Sequence, residues 1–221
     1  MLTRLFALAA LLLFPSLAGA ESFTIEREAS VFAIATQRAG IAGRMAHDHL
    51  VVAGDYEYEL TGVGEGTDGI AFSLTVKAED LVIDESTDLE RWWPELRERG
   101  LVARDASSIT ENQRADVREA MLGEDQLNAE NHPEIRAEVL SISENTDGDS
   151  THTIRVAVTI VGNRVEYDFD ADIHRDDEQL TVDAHTVAKF TDFGIRPYSA
   201  FLGAVRNQDE FVIFVAVSAR K

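Results

Sequence analysis

Apolar residues recur at every second position through most of the chain. The clearest run is Val165, Tyr167, Phe169, Ala171 and Ile173, interleaved with Glu166, Asp168, Asp170 and Asp172. A segment of that period is a strand with one dry face and one wet, acidic face. Ile70, Phe72, Leu74 and Val76 alternate in the same way, as do Ile154, Val156, Val158 and Ile160 around Arg155, Ala157 and Thr159. Further strands are predicted over 23–26, 31–38, 50–60, 135–142, 180–190 and 211–219. Val161-Gly162-Asn163-Arg164 and Arg175-Asp176-Asp177-Glu178 read as tight turns, which makes the strands they join antiparallel neighbours.

Between residues 84 and 133 the alternation stops and helical signals replace it. Ser108-x-x-Glu111 and Thr110-x-x-Gln113 are both capping-box candidates. Ala115, Val117, Met121 and Leu122 then form an apolar stripe that ends near Gly123. A second, short helix is predicted through Trp92-Trp93-Pro94-Glu95-Leu96-Arg97. The result is one all-β domain over 21–221, about eight antiparallel strands, with a helical insertion over about 85–132. Eight strands with a dry face need a cover larger than one helix. A second layer or closure into a barrel supplies it, and closure is favoured because it also removes the sheet edges.

The residues 211–219 are apolar on both faces: Phe211, Ile213, Val215 and Val217 oppose Val212, Phe214 and Ala216. One face is expected to meet the helix while the other lines the interior. Large side chains predicted to point inward are Phe72, Leu74, Val156, Val158, Tyr167, Phe169 and Phe190, with Phe193 packing from the turn that follows. From the residues alone they either fill the barrel, as is usual in small barrels, or line a cavity.

Residues 1–20 read as an export signal. Arg4 precedes an apolar run from Leu5 to Phe14, and Ala18-Gly19-Ala20 places small residues where a signal peptidase reads them. The run is too short to span ~30 Å of hydrocarbon. Cleavage near Ala20 is expected to deliver a soluble domain to the periplasm or beyond, with no stable membrane insertion. Charge then narrows the partners. Forty Asp and Glu against 20 Lys and Arg give a formal charge of -20, which argues against nucleic acid and anionic membranes. The absence of cysteine excludes disulfides, thiolate metal sites and thiol catalysis.

His47 and His49 are two residues apart, so on a strand they share a face with Cα atoms ~6.6 Å apart, and Asp48 faces the other way. The default role is hydrogen bonding at a barrel mouth. The alternative is a metal site completed by His132, His174 or His185. Asp192-Phe193-Gly194 lacks every companion of a kinase signature and reads as a turn. Gly62-Val63-Gly64-Glu65-Gly66 has no helix after it and reads as a hairpin connection. No catalytic constellation can be singled out, so no enzymatic activity is assigned.

Several segments carry a resemblance in their order and spacing. They are Ala29-Ser30-Val31-Phe32-Ala33-Ile34, then Ala46-His47-Asp48-His49-Leu50, then residues 125–135 ending in His132-Pro133-Glu134-Ile135. Thr191-Asp192-Phe193-Gly194-Ile195-Arg196-Pro197 and Asp209-Glu210-Phe211-Val212-Ile213 complete the set. Together they resemble the YceI-like family of secreted, lipocalin-like barrels, described as binding polyisoprenoid or related lipid chains. The departures are His47-x-His49 without the family's following Leu-Gly, a longer region around Trp92-Trp93, and a turn at Val161-Gly162-Asn163 that matches only in part. The resemblance implies a hollow interior and a non-covalent polyisoprenoid, isoprenoid quinone or fatty-acid-like ligand, with the inward residues as its lining and His47 and His49 near a polar head. It leaves open a metal-binding protein or metal-dependent enzyme, a ligand-free stress-protective barrel, and the oligomeric state, a dimer included.

Overall fold

The structure is a computed structural model, and it describes residues 20–39, 47–63, 66–67, 69–200, 202 and 204–221. The alternating runs form strands, joined into one antiparallel sheet of thirteen. In chain order these are β1 (Ala20–Ser22), β2 (Thr24–Ile25), β3 (Val31–Ala39), β4 (His49–Ala53), β5 (Glu57–Val63), β6 (Ile70–Lys77) and β7 (Leu81–Ile83). Helices α1 (Ser86–Glu98) and α2 (Glu111–Leu122) follow. The sheet resumes with β8 (Glu134–Glu144), β9 (His152–Ile160), β10 (Asn163–Arg175), β11 (Gln179–Lys189), β12 (Ser199–Ala200) and β13 (Val205–Arg220). The fold class is the expected one, mostly antiparallel β with a helical excursion and a lipocalin-like curl.

The strand count and the mode of closure differ from expectation. Four strands are only two or three residues long, which raises the number above eight. The predicted strand over 50–60 is two strands, because the chain turns through Gly54-Asp55-Tyr56. A Cβ at Gly54 would come within 2.6 Å of a Val82 methyl and 2.8 Å of the Asp80 carbonyl, so only glycine admits this approach. As a result β4 and β5 diverge into different parts of the sheet. The pairing path runs β1-β5-β6-β8-β9-β10-β11-β13-β3-β4-β7 and ends, among the described residues, at β1 and β7. The sheet is a curled half-barrel, and its edges are blunted by shortness instead of being removed.

The curl follows from the N-terminal segment. Ser22 pairs with Thr61 of β5, while Thr24 and Ile25 pair with Arg220 and Ala219 of β13. Five strands separate β5 from β13 along the sheet, so a chain that passes from one to the other in two residues must cross the base of the curl. Phe23 and Ile25 are buried there, and Tyr58 accepts the Ile25 N–H at its hydroxyl (2.9 Å). The Arg175 guanidinium, nearly fully buried, donates to the Gly66 carbonyl and to Glu21 and lies over the Phe23 ring.

Two apolar clusters sit on opposite faces. Inside the curl lie Ile154, Val156, Val158 and Ile160 of β9, Phe169, Ala171 and Ile173 of β10, and residues from the base. Outside, α1 covers β3, β4 and β13: Trp92, Trp93 and Leu96 pack on Val31, Ala33, Leu50, Val212 and Phe214. The two-faced apolar strand does meet a helix on one face, but that helix is α1 and not the capped helix α2: Val212, Phe214 and Ala216 pack on it while Phe211, Ile213, Val215 and Val217 face inward. The helix through Trp92 spans thirteen residues and is the one that covers the sheet, a larger role than its predicted length implied. Helix α2 begins at the predicted Thr110–Gln113 capping box, both bonds being present, and buries none of its residues. On β10 the alternating acids stand outside, with Arg155 bonded to both Glu166 and Asp168.

Candidate functional site

The inner face does not fill the curl. It surrounds a cavity of about 380 Å³, within the usual range for small-molecule sites. Strand β9 lines it at Ile154, Val156, Val158 and Ile160, six residue steps that span about 20 Å along the strand. The segment through Phe23 and Ile25 closes the base. At the opposite end α2 and the turn after it bring Val117, Met121 and Leu127 over the opening. Side chains hold that cap in place. Arg118 donates to the Leu81 and Glu79 carbonyls, Arg114 to Glu85, and Gln126 to the Arg196 carbonyl.

Of the predicted inward residues, Phe72, Leu74, Val156, Val158, Phe169, Phe190 and Phe193 line the cavity. Tyr167 does not line it: it shares the inward phase of β10 and packs against the inner cluster, beside Phe193, where it donates its hydroxyl to Asp192 (2.8 Å). Burial and that carboxylate push its pKa well up. Ala171 also shares that phase but does not line the cavity, whereas Ile173 does.

The described lining carries few polar side chains: Thr36, His49, Asp116, Gln126, Asn207 and the phenol of Tyr198. Two of them are directly opposed, since Thr36 of β3 pairs with His49 of β4. His49 Nδ1 donates to Asp84 Oδ2 at 2.6 Å, and Asp84 Oδ1 accepts the Leu50 N–H at 2.8 Å. Asp84 is buried and sits at φ 48°, a left-handed conformation that Asp tolerates better than most residues. A carboxylate only accepts hydrogen bonds, so its bond to Nδ1 fixes the imidazole proton on that nitrogen and leaves Nε2 as an acceptor when the ring is neutral. The Thr36 hydroxyl, buried in the same wall, has no hydrogen-bond partner.

His47 and His49 do come together, with ring centroids 6.3 Å apart, but in unlike settings. His47 precedes the strand, its Nδ1 is buried without a partner, and it is not part of the cavity wall. Burial foremost, then His49 and Arg38, hold its pKa below the usual value. Asp48 faces the α1 side as expected, accepting the Arg38 N–H and pairing with Arg104. His132 lies beside Gly162 at the β9–β10 turn, and His174 and His185 lie on β10 and β11. Among the described residues no three His, Asp or Glu gather into a set that could hold a metal ion.

Sequence reasoning missed Thr36 and Asp84. Thr36 carried a signal: it continues the inward phase of Phe32 and Ile34, a hydroxyl where the period asks for an apolar group. Asp84 carried none, because its contact with His49 spans 35 residues. Residues 1–19 of the predicted 1–20 signal segment and part of the Gly62–Gly66 connection lie outside the described residues.

The profile of the YceI-like domain matches residues 61–219. The chain belongs to the YceI-like family. Solved structures share this fold. The crystal structure of Burkholderia cenocepacia BcnA is 10% identical and superposes with a TM-score of 0.58, covering 88% of this chain and 99% of that one. The Campylobacter jejuni YceI protein, crystallised with large solvent channels, is 13% identical with a TM-score of 0.53, covering 77% and 84%. A mutant of that protein holding a monobromobimane guest is 15% identical with a TM-score of 0.52. No curated protein sequence matches the chain. The Ala29–Ile34 and Ala46–Leu50 segments precede the matched part of this YceI-like chain, which begins at Thr61.

Proposed function

We propose that this protein binds one long, predominantly apolar molecule, a polyisoprenoid, an isoprenoid quinone or a fatty-acid-like chain, and carries it through an aqueous compartment. The observation that carries this reading is the apolar cavity, which extends about 20 Å along β9 and is lined by side chains with almost no polar chemistry. Each ligand CH₂ moved from water into such a wall is worth about 0.8 kcal/mol, so a long tail binds without any charge pairing. Membership of the YceI-like family supports the same class of ligand. Binding without chemical conversion is part of this reading, as is the absence of a resident metal.

Export completes the proposal. The apolar run from Leu5 to Phe14 and the small residues before Glu21 support cleavage after Ala20 and a periplasmic destination. Cleavage there leaves Glu21 at the start of the mature chain, with its carboxylate held by Lys221 and Arg175, which lower its pKa. Among the described residues no helix is long and apolar enough to cross a membrane. Native mass spectrometry of the protein purified from its source, followed by solvent extraction, tests both parts. The expected species starts at Glu21 and carries one extractable apolar molecule. A tightly held metal with no extractable lipid would overturn the carrier reading.

A further inference from the structure

We propose that Thr36 and His49, the latter oriented by Asp84, recognise a hydroxyl head group on the bound chain. This inference rests on the carrier reading and names the polar chemistry that the ligand must bring. A buried hydroxyl without a partner is costly, and Thr36 is 6% exposed with its oxygen unbonded and its side chain in the cavity wall. His49 stands directly across the β3–β4 ladder, where opposed Cβ atoms are about 5 Å apart, close enough for one ligand atom to meet both side chains. Asp84 accepts from Nδ1, so the neutral ring offers an acceptor at Nε2.

A hydroxyl satisfies both groups at once. It donates to His49 Nε2 and accepts from the Thr36 hydroxyl. A carbonyl oxygen meets only Thr36, and a hydrocarbon meets neither. An anionic head fares worse. Among the described residues no lysine or arginine lines the cavity, while Asp116 lines it and the Asp84 carboxylate lies fully buried behind His49. A phosphate or carboxylate would add a further negative charge to an uncompensated apolar wall. Both a prenol and a quinol offer the required hydroxyl, and a head-group series on one fixed tail tests the chemistry that they share.

The test is displacement of phenyl-naphthylamine, bound to the full-length mature protein, by hexadecanol, hexadecanal, hexadecanoate and hexadecane. The alcohol is expected to displace the dye about tenfold more effectively than the acid or the hydrocarbon, the scale of one or two net hydrogen bonds. Thr36→Val should cut that advantage to what the bond to His49 Nε2 alone supplies and leave hexadecane unchanged, and Thr36→Ser should restore it in full. Asp84→Asn tests the positioning role. Its amide N–H would donate to Nδ1 and move the imidazole proton to Nε2, so preference should move from the alcohol towards the aldehyde, a change that a merely structural residue would not cause. Equal displacement by alcohol and hydrocarbon, a preference undiminished by Thr36→Val, or tighter binding of the acid each overturns the head-group inference while leaving the carrier reading intact. If no member of the series displaces the dye, it is the carrier reading that fails.

Discussion

Thr36 shows how one side chain ties stability to function. Its hydroxyl occupies an inward strand position without a partner, so the ligand-free protein carries the cost of an unmade bond. Thr36→Val replaces the hydroxyl by a methyl of similar shape and should stabilise the ligand-free protein by about 1 kcal/mol in urea unfolding; a loss of stability would contradict this. Two histidines set a pH dependence. Burial is the main cause holding His47 and His185 below their usual value, with neighbouring Arg38 and Arg99 adding to it. The folded state then binds fewer protons than the unfolded chain, so stability is complete above the unfolded value near 6.5 and falls as the pH drops through it. Partial burial shifts half-buried Asp88 and Asp183 upward, which acts with the opposite sign nearer their ordinary value of 3.8. Urea midpoints should therefore fall between about pH 7.5 and 5.5 and flatten in the His47→Asn/His185→Asn double variant; a rise on acidification would contradict the assignment. At this scale Thr36 was legible from strand phase. Asp84 was not, since only the folded chain brings it to His49.

The elements divide by what their sequence can announce. The acids of β10 and the apolar faces of β9 and β13 follow directly from period two, and the Thr110–Gln113 box marks the start of α2. The break between β4 and β5 was hidden, because it arises from the close approach of Val82 to Gly54, a contact distant in sequence. The register shift of β13 against β3 between Asn207 and Phe211 was equally silent, as the three residues 208–210 on one strand oppose the single Gln37 on the other. Helix α1 is held by apolar packing: Leu96 is fully buried, Trp92 meets Phe214 at 6.1 Å, and Trp93 donates to the Arg104 carbonyl. Leu96→Ala should cost about 3 kcal/mol in equilibrium unfolding, the usual size for a buried leucine. A cost under about 1 kcal/mol would mean that α1 is dispensable to the sheet. The β9–β10 turn carries its own strain. Val161 and Gly162 both have positive φ, 50° and 73°, the pattern of a type I′ hairpin, in which a β-branched residue is disfavoured at the first position. Val161→Asn should raise stability by about 0.5–1 kcal/mol in the same assay, less the packing that Val161 makes with the inner cluster. An unchanged or lower midpoint would show that the packing outweighs the strain.

At the scale of the molecule, a sheet that curls without closing its ladder still encloses a space. The N-terminal segment seals one end, α2 covers the other, and α1 occupies the outer face, leaving the inner face to whatever enters. BcnA shares the fold at 10% identity, so the fold tolerates very different side chains. The acidic surface agrees: with 40 Asp and Glu the chain keeps charge on the outer face of β10, while the cavity wall stays apolar. Whether the interior was solid or hollow could not be read from residue types, because the same Phe, Leu and Val side chains serve both. The central claim is that this space holds the ligand. Ala137 of β8 lines it, and a larger side chain there projects into the volume the ligand would occupy. The most direct test is native mass spectrometry of the protein and of Ala137→Phe, each titrated with one long-chain alcohol. The wild-type protein should bind one molecule, and the variant, with an unchanged circular dichroism spectrum, should bind at least tenfold more weakly. Equal binding by the two, or none by the wild-type protein, would contradict the account.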